Sequence, residues 1–175
     1  MNEISEIFLA SSRKTLATWI ERIEKCVVQL TPKQIWWRGQ ASSNAIGNLL
    51  LHLSGNVRQW IIAGVGGAPD TRKRDAEFAE REPLAPLELV ERLKATVREA
   101  DDVLSRLKSE DLLGRRQIQL WDVTVLEAIH HVTHHFALHA GQILYATKLL
   151  TGADLGFYRA LGKQIQPQET KTPGL

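Results

Sequence analysis

Histidines crowd into one short stretch of this 175-residue sequence. Five of the six histidines lie between His130 and His139, and the sixth is His52. Histidine is the commonest metal-binding side chain and the usual acid or base near neutral pH. Two histidines four residues apart on a helix can present their imidazole nitrogens to one cation. The cluster therefore calls for a structural explanation, and a metal site is the first candidate.

Helical spacing places the five clustered histidines on different sides of their predicted helix. At about 100° per residue, His135 and His139 border the apolar stripe of their predicted helix. His131 lies further round the helix, whereas His130 and His134 face solvent or a partner subunit. The apolar stripe itself consists of Val125, Val132, Phe136 and Ile143. The spacing therefore selects His135 and His139 as the inward-facing pair.

The only histidine that can add a third ligand from another element is His52. It lies midway along a second predicted helix, with Asn48 and Asn56 one turn to either side. If the two helices pack side by side, His52 can converge on His135 and His139. Three imidazoles with open coordination positions form the kind of site that binds water or a substrate at a metal. Surface histidines, or histidines hydrogen-bonded in the core, remain the alternative.

Four amphipathic segments must position these side chains. Apolar residues recur at helical spacing over 5–30, 44–63, 86–107 and 124–150. Ser42 and Ser43 offer N-caps to the second segment, and Pro86 suits the first turn of the third. Thr124 and Glu127 have the spacing of a capping box, and Gly152 suits a helix stop. The pattern predicts an all-α fold, a four-helix bundle with a long crossover connection.

The segments between and after the helices divide the chain further. The charged connection over 70–82 is interpreted as a solvated crossover, although connections of this length are sometimes functional. Arg58, Arg72 and Arg74 could bind an anionic substrate or remain solvated. Residues 109–122 are predicted to form another connection, and 155–165 a short helix. The predicted domain covers 1–165, followed by a frayed tail over 166–175.

Composition restricts the classes of function. Lys and Arg total 22 against 20 Asp and Glu, and this net charge of +2 gives no argument for nucleic-acid binding. The single cysteine, Cys26, permits no intrachain disulfide and is interpreted as a small core residue. No apolar run approaches the ~20 residues of a membrane span, and no secretory signal is visible. We therefore expect a cytoplasmic protein that binds neither membranes nor nucleic acid.

Two stretches carry a family resemblance. One includes Asn48, His52 and Asn56, and the other runs from His135 through His139 to the Gly-Gln pair at 141–142. Over residues 5–160 the chain resembles the DinB/YfiT-like superfamily of metalloenzymes, and within it a DinB-like branch of unknown function. The resemblance implies a four-helix bundle that holds a divalent cation. Its ligands would be His52, His135 and His139.

The resemblance is less informative about the reaction. Relatives include thiol-dependent transferases and a mycothiol-dependent isomerase, which implies a metal-dependent transferase or hydrolase with Zn²⁺ or Ni²⁺ and a low-molecular-weight thiol. The substrate is an unknown small molecule, and no catalytic or thiol-binding residue is assigned. The alternative is a non-catalytic bundle that binds a ligand or partner, with a structural metal or none. A homodimer fits either reading. The large apolar residues that favour the alternative are Trp36, Trp37, Trp60 and Trp121.

Overall fold

Long helices account for most of the chain in the computed structural model, which describes residues 3–81 and 84–159. The described helices are α1 (Glu3–Val27), α2 (Pro32–Ile35), α3 (Ile46–Val57), α4 (Arg74–Ala79), α5 (Pro86–Ser105) and α6 (Val125–Thr151). A π-helical segment, Arg58–Val65, continues α3, and a 3₁₀ turn, Ser109–Leu113, follows α5. Strands β1 (Arg115–Ile118) and β2 (Trp121–Thr124) form an antiparallel hairpin. The fold is mostly helical, as predicted.

The core lies between the long helices. Helix α1 packs against α5 and α6, and α3 packs against the same two helices. Large side chains from all four are fully buried there, among them Ile23, Leu50, Leu53, Leu93, Ile129 and Phe136. The hydrophobic effect thus fixes the relative positions of α3 and α6, the two helices that carry the candidate ligands.

Most predicted helix ends are confirmed. Pro86 lies in the first turn of α5, Thr124 and Glu127 form the capping box of α6, and Gly152 ends α6 in the left-handed conformation. The predicted caps Ser42 and Ser43 are wrong. Helix α3 begins at Ile46, and the preceding backbone N–H, that of Ala45, donates to the Asn48 side chain over 3.2 Å.

Both predicted connections contain regular structure. Helix α4 lies within 70–82, and the hairpin replaces much of the expected connection over 109–122. The hairpin turn consists of Gln119 and Leu120, with Ile118 paired to Trp121. Gly or Asn is the usual mark of such a turn, and its absence here explains why the strands were missed.

Two predictions concern the end of the chain. Of the expected helix over 155–165, residues 155 and 156 are not helical and 157–159 form a turn, whereas 160–165 and the tail over 166–175 lie outside the described residues. The division into a domain over 1–165 and a tail stays a prediction. Within the described ranges, no helix has both the length and the apolar character that crossing a membrane requires.

Candidate metal centre

The packing of α3 against α6 brings three imidazole rings together. The Nε2 atom of His135 lies 3.0 Å from Nε2 of His52 and 3.1 Å from Nε2 of His139. One ligand nitrogen from each of the three residues lies within 4.8 Å of the other two, so the group could hold a metal ion. His52 is buried, and the other two rings are half-buried. The convergence expected from helical spacing is therefore present.

The remaining three histidines are not part of this cluster. His130 and His134 are exposed, with parallel rings whose centroids are 6.4 Å apart. His131 is half-buried and stacks on Trp60 with a centroid separation of 4.0 Å. The helix thus separates an inward histidine pair from an outward pair, as predicted.

The outer nitrogens of two rings have hydrogen-bond partners. His52 Nδ1 lies 3.0 Å from Glu77 Oε2, and His139 Nδ1 lies 2.7 Å from Gln142 Oε1. Arg72 Nη2 also lies 3.1 Å from His52 Nδ1, but it donates to Glu77 Oε2. The Glu77 carboxylate and Gln142 Oε1 only accept, so we assign the ring proton to Nδ1 in each case. The Nε2 atoms of His52 and His139 then carry lone pairs that face the cluster. Histidines that bind metals are usually held in this way.

With this tautomer assignment and no cation, one of the two short contacts of His135 Nε2 has no proton to form a hydrogen bond. His135 Nε2 carries at most one proton in the neutral ring and can donate it fully to only one of its two neighbours. The other short contact then joins two lone pairs. Two nitrogens that are each about 2.1 Å from a common cation lie about 3.0 Å apart when the angle between them is about 90°. The donor set and two of its spacings therefore fit a divalent cation.

A buried ion pair supports His52 from the crossover connection. Arg72 donates through Nε to Glu77 Oε1 over 2.8 Å and through Nη2 to Oε2 over 2.9 Å. The side chain of Arg72 is 3% exposed and that of Glu77 is 10% exposed. Gly55 makes this packing possible, because a Cβ atom there would collide with Glu77 Oε1.

The expectation of a solvated connection is wrong for Arg72 and Glu77. Each neutralises the other's charge, which lowers the cost of burying both. Burial alone would raise the pKa of the Glu77 carboxyl, but hydrogen bonds from Arg72 and His52 outweigh it and lower the pKa. Glu77 is therefore ionised at neutral pH and holds the Nδ1 proton of His52. Sequence reasoning missed it because its charge resembles that of the exposed residues around it.

Burial also sets the charge state of the histidine pair. It lowers the pKa of His135 to about 3, with the nearby His139 and His52 rings acting in the same direction. Burial likewise lowers the pKa of His139, and the hydrogen bond to Gln142 partly opposes this shift. Both rings are neutral at pH 7, which is the form that binds a metal.

An open cavity adjoins the cluster. It has a volume of about 440 Å³, in the range of small-molecule sites, and His52 and His135 form part of its wall. Asn56, Trp60 and Arg74 from the helical side also line it, together with Trp121 from the hairpin. The cluster is therefore open to a ligand from this side.

The other candidates from the sequence lie outside the histidine cluster. Cys26 is buried on α1, and burial raises the pKa of its thiol, so it is a core residue as predicted. Glu127 lines the cavity, but its carboxylate accepts hydrogen bonds from the backbone and hydroxyl of Thr124. Arg58 pairs with Glu99 on the surface. Arg74 stacks over Phe78, with its guanidinium carbon 5.0 Å from the ring centroid.

Comparison with known proteins places the chain in a family. The sequence profile described as "Protein of unknown function (DUF1572)" matches residues 3–160. The chain belongs to this family. A search of the curated proteins found no match. Among solved structures, a conserved protein from Enterococcus faecalis superposes with a TM-score of 0.70 at 19% identity, over 82% of this chain and 97% of that one. At this identity, the similarity shows that this DUF1572 protein shares that protein's fold.

Proposed function

We propose that the protein is a divalent-metal-dependent enzyme in which His52, His135 and His139 bind the cation. We further propose that it is a four-helix bundle of the DinB/YfiT-like type with a long crossover connection. Imidazole ligands suit Zn²⁺ and Ni²⁺. The reaction would be a transfer that uses a low-molecular-weight thiol, or a hydrolysis, on a small-molecule substrate.

The observation that carries the proposal is the convergence of three Nε2 atoms, with the outer nitrogens of His52 and His139 held by acceptors. Hydrogen bonds from Nδ1 to Glu77 and Gln142 direct lone pairs into one point from two helices. A histidine cluster that only filled space would satisfy its own donors and acceptors. The adjacent cavity supports a catalytic role over a structural one, because structural metal sites are closed.

A divalent cation bound here would lower the pKa of a coordinated thiol or water and so supply a nucleophile at neutral pH. The chain's own residues prepare the site for this role. Glu77 fixes the tautomer of His52, Arg72 holds Glu77 in place, and Gln142 orients His139. The cavity would bind the second reactant beside the ligands. No carboxylate of the described cavity wall is free to act as a general base, since Glu127 caps α6.

The alternative function is a non-catalytic bundle that binds a ligand or partner. One observation favours it. Leu138, Tyr145 and Leu149 on α6 are between 54% and 71% exposed, and apolar surface of this kind is often covered by a partner. A second copy of the chain could cover it, so a homodimer is compatible with both functions. The small net charge supports neither a nucleic-acid nor a membrane partner.

Activity assays can separate the two functions. Purified protein is supplied with glutathione or cysteine and an electrophilic aromatic acceptor, and separately with hydrolysable esters. We expect turnover that is lost on chelation and in the variant His135→Ala/His139→Ala. The matched control is His130→Ala/His134→Ala, which removes the exposed pair from the same helix and should retain turnover.

Two results would contradict the enzymatic proposal. Turnover that persists in metal-free protein would place the chemistry at another site. A complete lack of turnover with every thiol, acceptor and ester, in protein shown to contain metal, would favour the non-catalytic bundle.

A further inference from the structure

The walls of the cavity beside His52 and His135 contain groups that the metal site does not use. Arg74, Asn56 and Trp121 line it at different points, and none of them binds the histidine cluster. Their chemistry is distinct: a cation, an amide and a large apolar ring. Together they indicate which chemical groups a ligand of this cavity would carry.

Arg74 is the cation that the cavity offers to a ligand. Arg72 also lines the cavity, but its donors are already committed to Glu77 and to Gln59 Oε1. Arg74 is exposed and, within residues 3–81 and 84–159, forms no ion pair; its contact is with the face of Phe78. A guanidinium in this position recognises a carboxylate by charge-assisted hydrogen bonds. The bound divalent cation would add positive charge to the same cavity.

Asn56 supplies a polar contact deeper in the cavity. The residue is 4% exposed, and its Oδ1 atom is buried without a hydrogen-bond partner in the described structure. An unsatisfied buried amide oxygen is costly, and native proteins usually pair it. A hydroxyl or N–H group on a ligand in the cavity would supply the missing donor.

The apolar wall is partly built by the hairpin. Trp121 and Val123 of β2 and Trp60 of the π-helical segment line the same cavity. The hairpin is held there by Ile118, which packs so closely on Gly64 that a Cβ atom would not fit, and by a hydrogen bond from Gln119 to Gln59. Trp121 nevertheless remains 63% exposed, a large aromatic surface with little protein to cover it. A flat apolar ligand would cover part of this surface.

From these three features we propose that the cavity binds a small aromatic carboxylate that also carries a hydroxyl or N–H donor. Its carboxylate pairs with Arg74, its ring packs against Trp121 and Trp60, and its donor group bonds to Asn56. The proposal rests on the function proposed above, because it names the substrate class of the same site.

The test is titration of the full-length protein with 4-hydroxybenzoate and its neutral analogue 4-hydroxybenzamide. Isothermal titration calorimetry gives the affinity, and tryptophan fluorescence reports contact with the cavity wall. We expect the carboxylate to bind about tenfold more tightly than the amide, the difference expected for one charge-assisted contact. Arg74→Gln should lose about tenfold in carboxylate affinity, and Trp121→Ala should reduce the fluorescence change.

The matched control is Lys73→Gln, which removes one positive charge from the adjacent exposed residue, outside this cavity wall. It should change the affinity by less than about twofold. Equal affinities for the carboxylate and the amide would overturn the proposal. So would an unchanged affinity in Arg74→Gln, or the absence of saturable binding by the carboxylate.

The same samples are analysed for bound metal, and chelated protein is titrated in parallel. The proposed contact with Arg74 does not depend on a bound metal. Metal-containing and metal-free protein should therefore both bind the carboxylate more tightly than the amide. Metal-containing protein that lacks selectivity would overturn the ligand class alone. Selective binding by protein that takes up no metal would overturn the metal proposal while supporting the carboxylate site.

Discussion

Hydrogen bonds to the outer nitrogen orient two of the three imidazoles of the cluster. Glu77 holds His52 and Gln142 holds His139, whereas His135 Nδ1 is buried without a partner in the described structure. Packing by the neighbouring rings therefore positions His135. His139 contacts it with a centroid separation of 4.5 Å, and His131 stacks on it at 5.6 Å. The three proposed ligands thus differ in how firmly hydrogen bonds orient them.

The first prediction concerns the carboxylate behind His52. Replacing Glu77 with Gln removes the negative charge that holds the Nδ1 proton and leaves Arg72 buried without its counter-ion. We expect metal affinity to fall by roughly 10- to 100-fold, the usual effect of losing such a supporting group. Competition with a chromophoric chelator measures the affinity, and circular dichroism checks that the variant is folded. Asp75→Asn, an exposed change on the same helix, is the control, and equal affinities in the two variants would contradict the assigned role.

The second prediction concerns pH and metal-free protein. The pKa of His135 is about 3 in the folded chain, against an ordinary value near 6.5. Between these values the unfolded chain binds a proton that the folded chain does not, so stability must fall as the pH decreases from 6.5 towards 3. Urea unfolding of chelated protein should show this loss reduced in His135→Asn and retained in His130→Asn. The same pH dependence in both variants would show that His135 is not the group responsible.

For the individual residues, type and spacing were enough to select the three candidate ligands. Helical periodicity separates His135 and His139 from His130 and His134 without knowledge of the tertiary structure. The supporting residues could not be found in that way. Glu77 follows His52 by 25 positions and lies on another helix, so only the packing of α4 against α3 brings them together.

The crossover connection is the element that completes the candidate site. Its backbone is attached to α3 through the Asn48 side chain, which donates to the carbonyls of Glu77 and Glu80 over 2.9 and 3.2 Å. Composition suggested a solvated loop because charged residues dominate the segment. The structure shows that Arg72 and Glu77 are buried against His52, whereas Lys73, Arg74 and Asp75 are exposed.

The third prediction tests the fit between α4 and α3. In Gly55→Ala the new Cβ atom would collide with Glu77 Oε1, and the buried ion pair would have to move. We expect a loss of about 1–3 kcal/mol in unfolding free energy, as for other overpacked sites, and weaker metal binding. The control is Gly141→Ala on α6, where a Cβ atom meets nothing within 4 Å. That variant should be as stable as the native chain or more so, because Ala favours helix over Gly. A fully stable Gly55→Ala variant would contradict the close packing.

The fourth prediction concerns the hairpin turn. Gln119 has a φ of 55°, a left-handed conformation that favours glycine, and its side chain reaches Gln59 beside the cavity. Gln119→Gly and Gln119→Ala both lose the side-chain contact, but only glycine relieves the backbone. The glycine variant should be more stable than the alanine variant by about 1 kcal/mol in urea unfolding. Equal stabilities would show that the turn is not strained.

Across the whole molecule, the long helices carry the candidate ligands, and the irregular segments build part of the cavity beside them. The apolar periodicity predicted all four long helices, because each buries one face in the common core. The π-helical segment and the hairpin were not predicted, and they contact each other in the folded chain. Ile118 packs against Gly64 of that segment, and Trp60 and Trp121 line the same cavity. The candidate ligands were therefore accessible to sequence reasoning, and the adjacent cavity was not.

The account depends most on whether the three histidines bind a metal. Elemental analysis by mass spectrometry of untagged protein, purified without chelator, tests this directly. We expect about one divalent ion per chain in the native protein and in the control variant His130→Ala/His134→Ala, and little or none in His135→Ala/His139→Ala. Native protein without bound metal, or a metal content unchanged in His135→Ala/His139→Ala, would contradict the central claim.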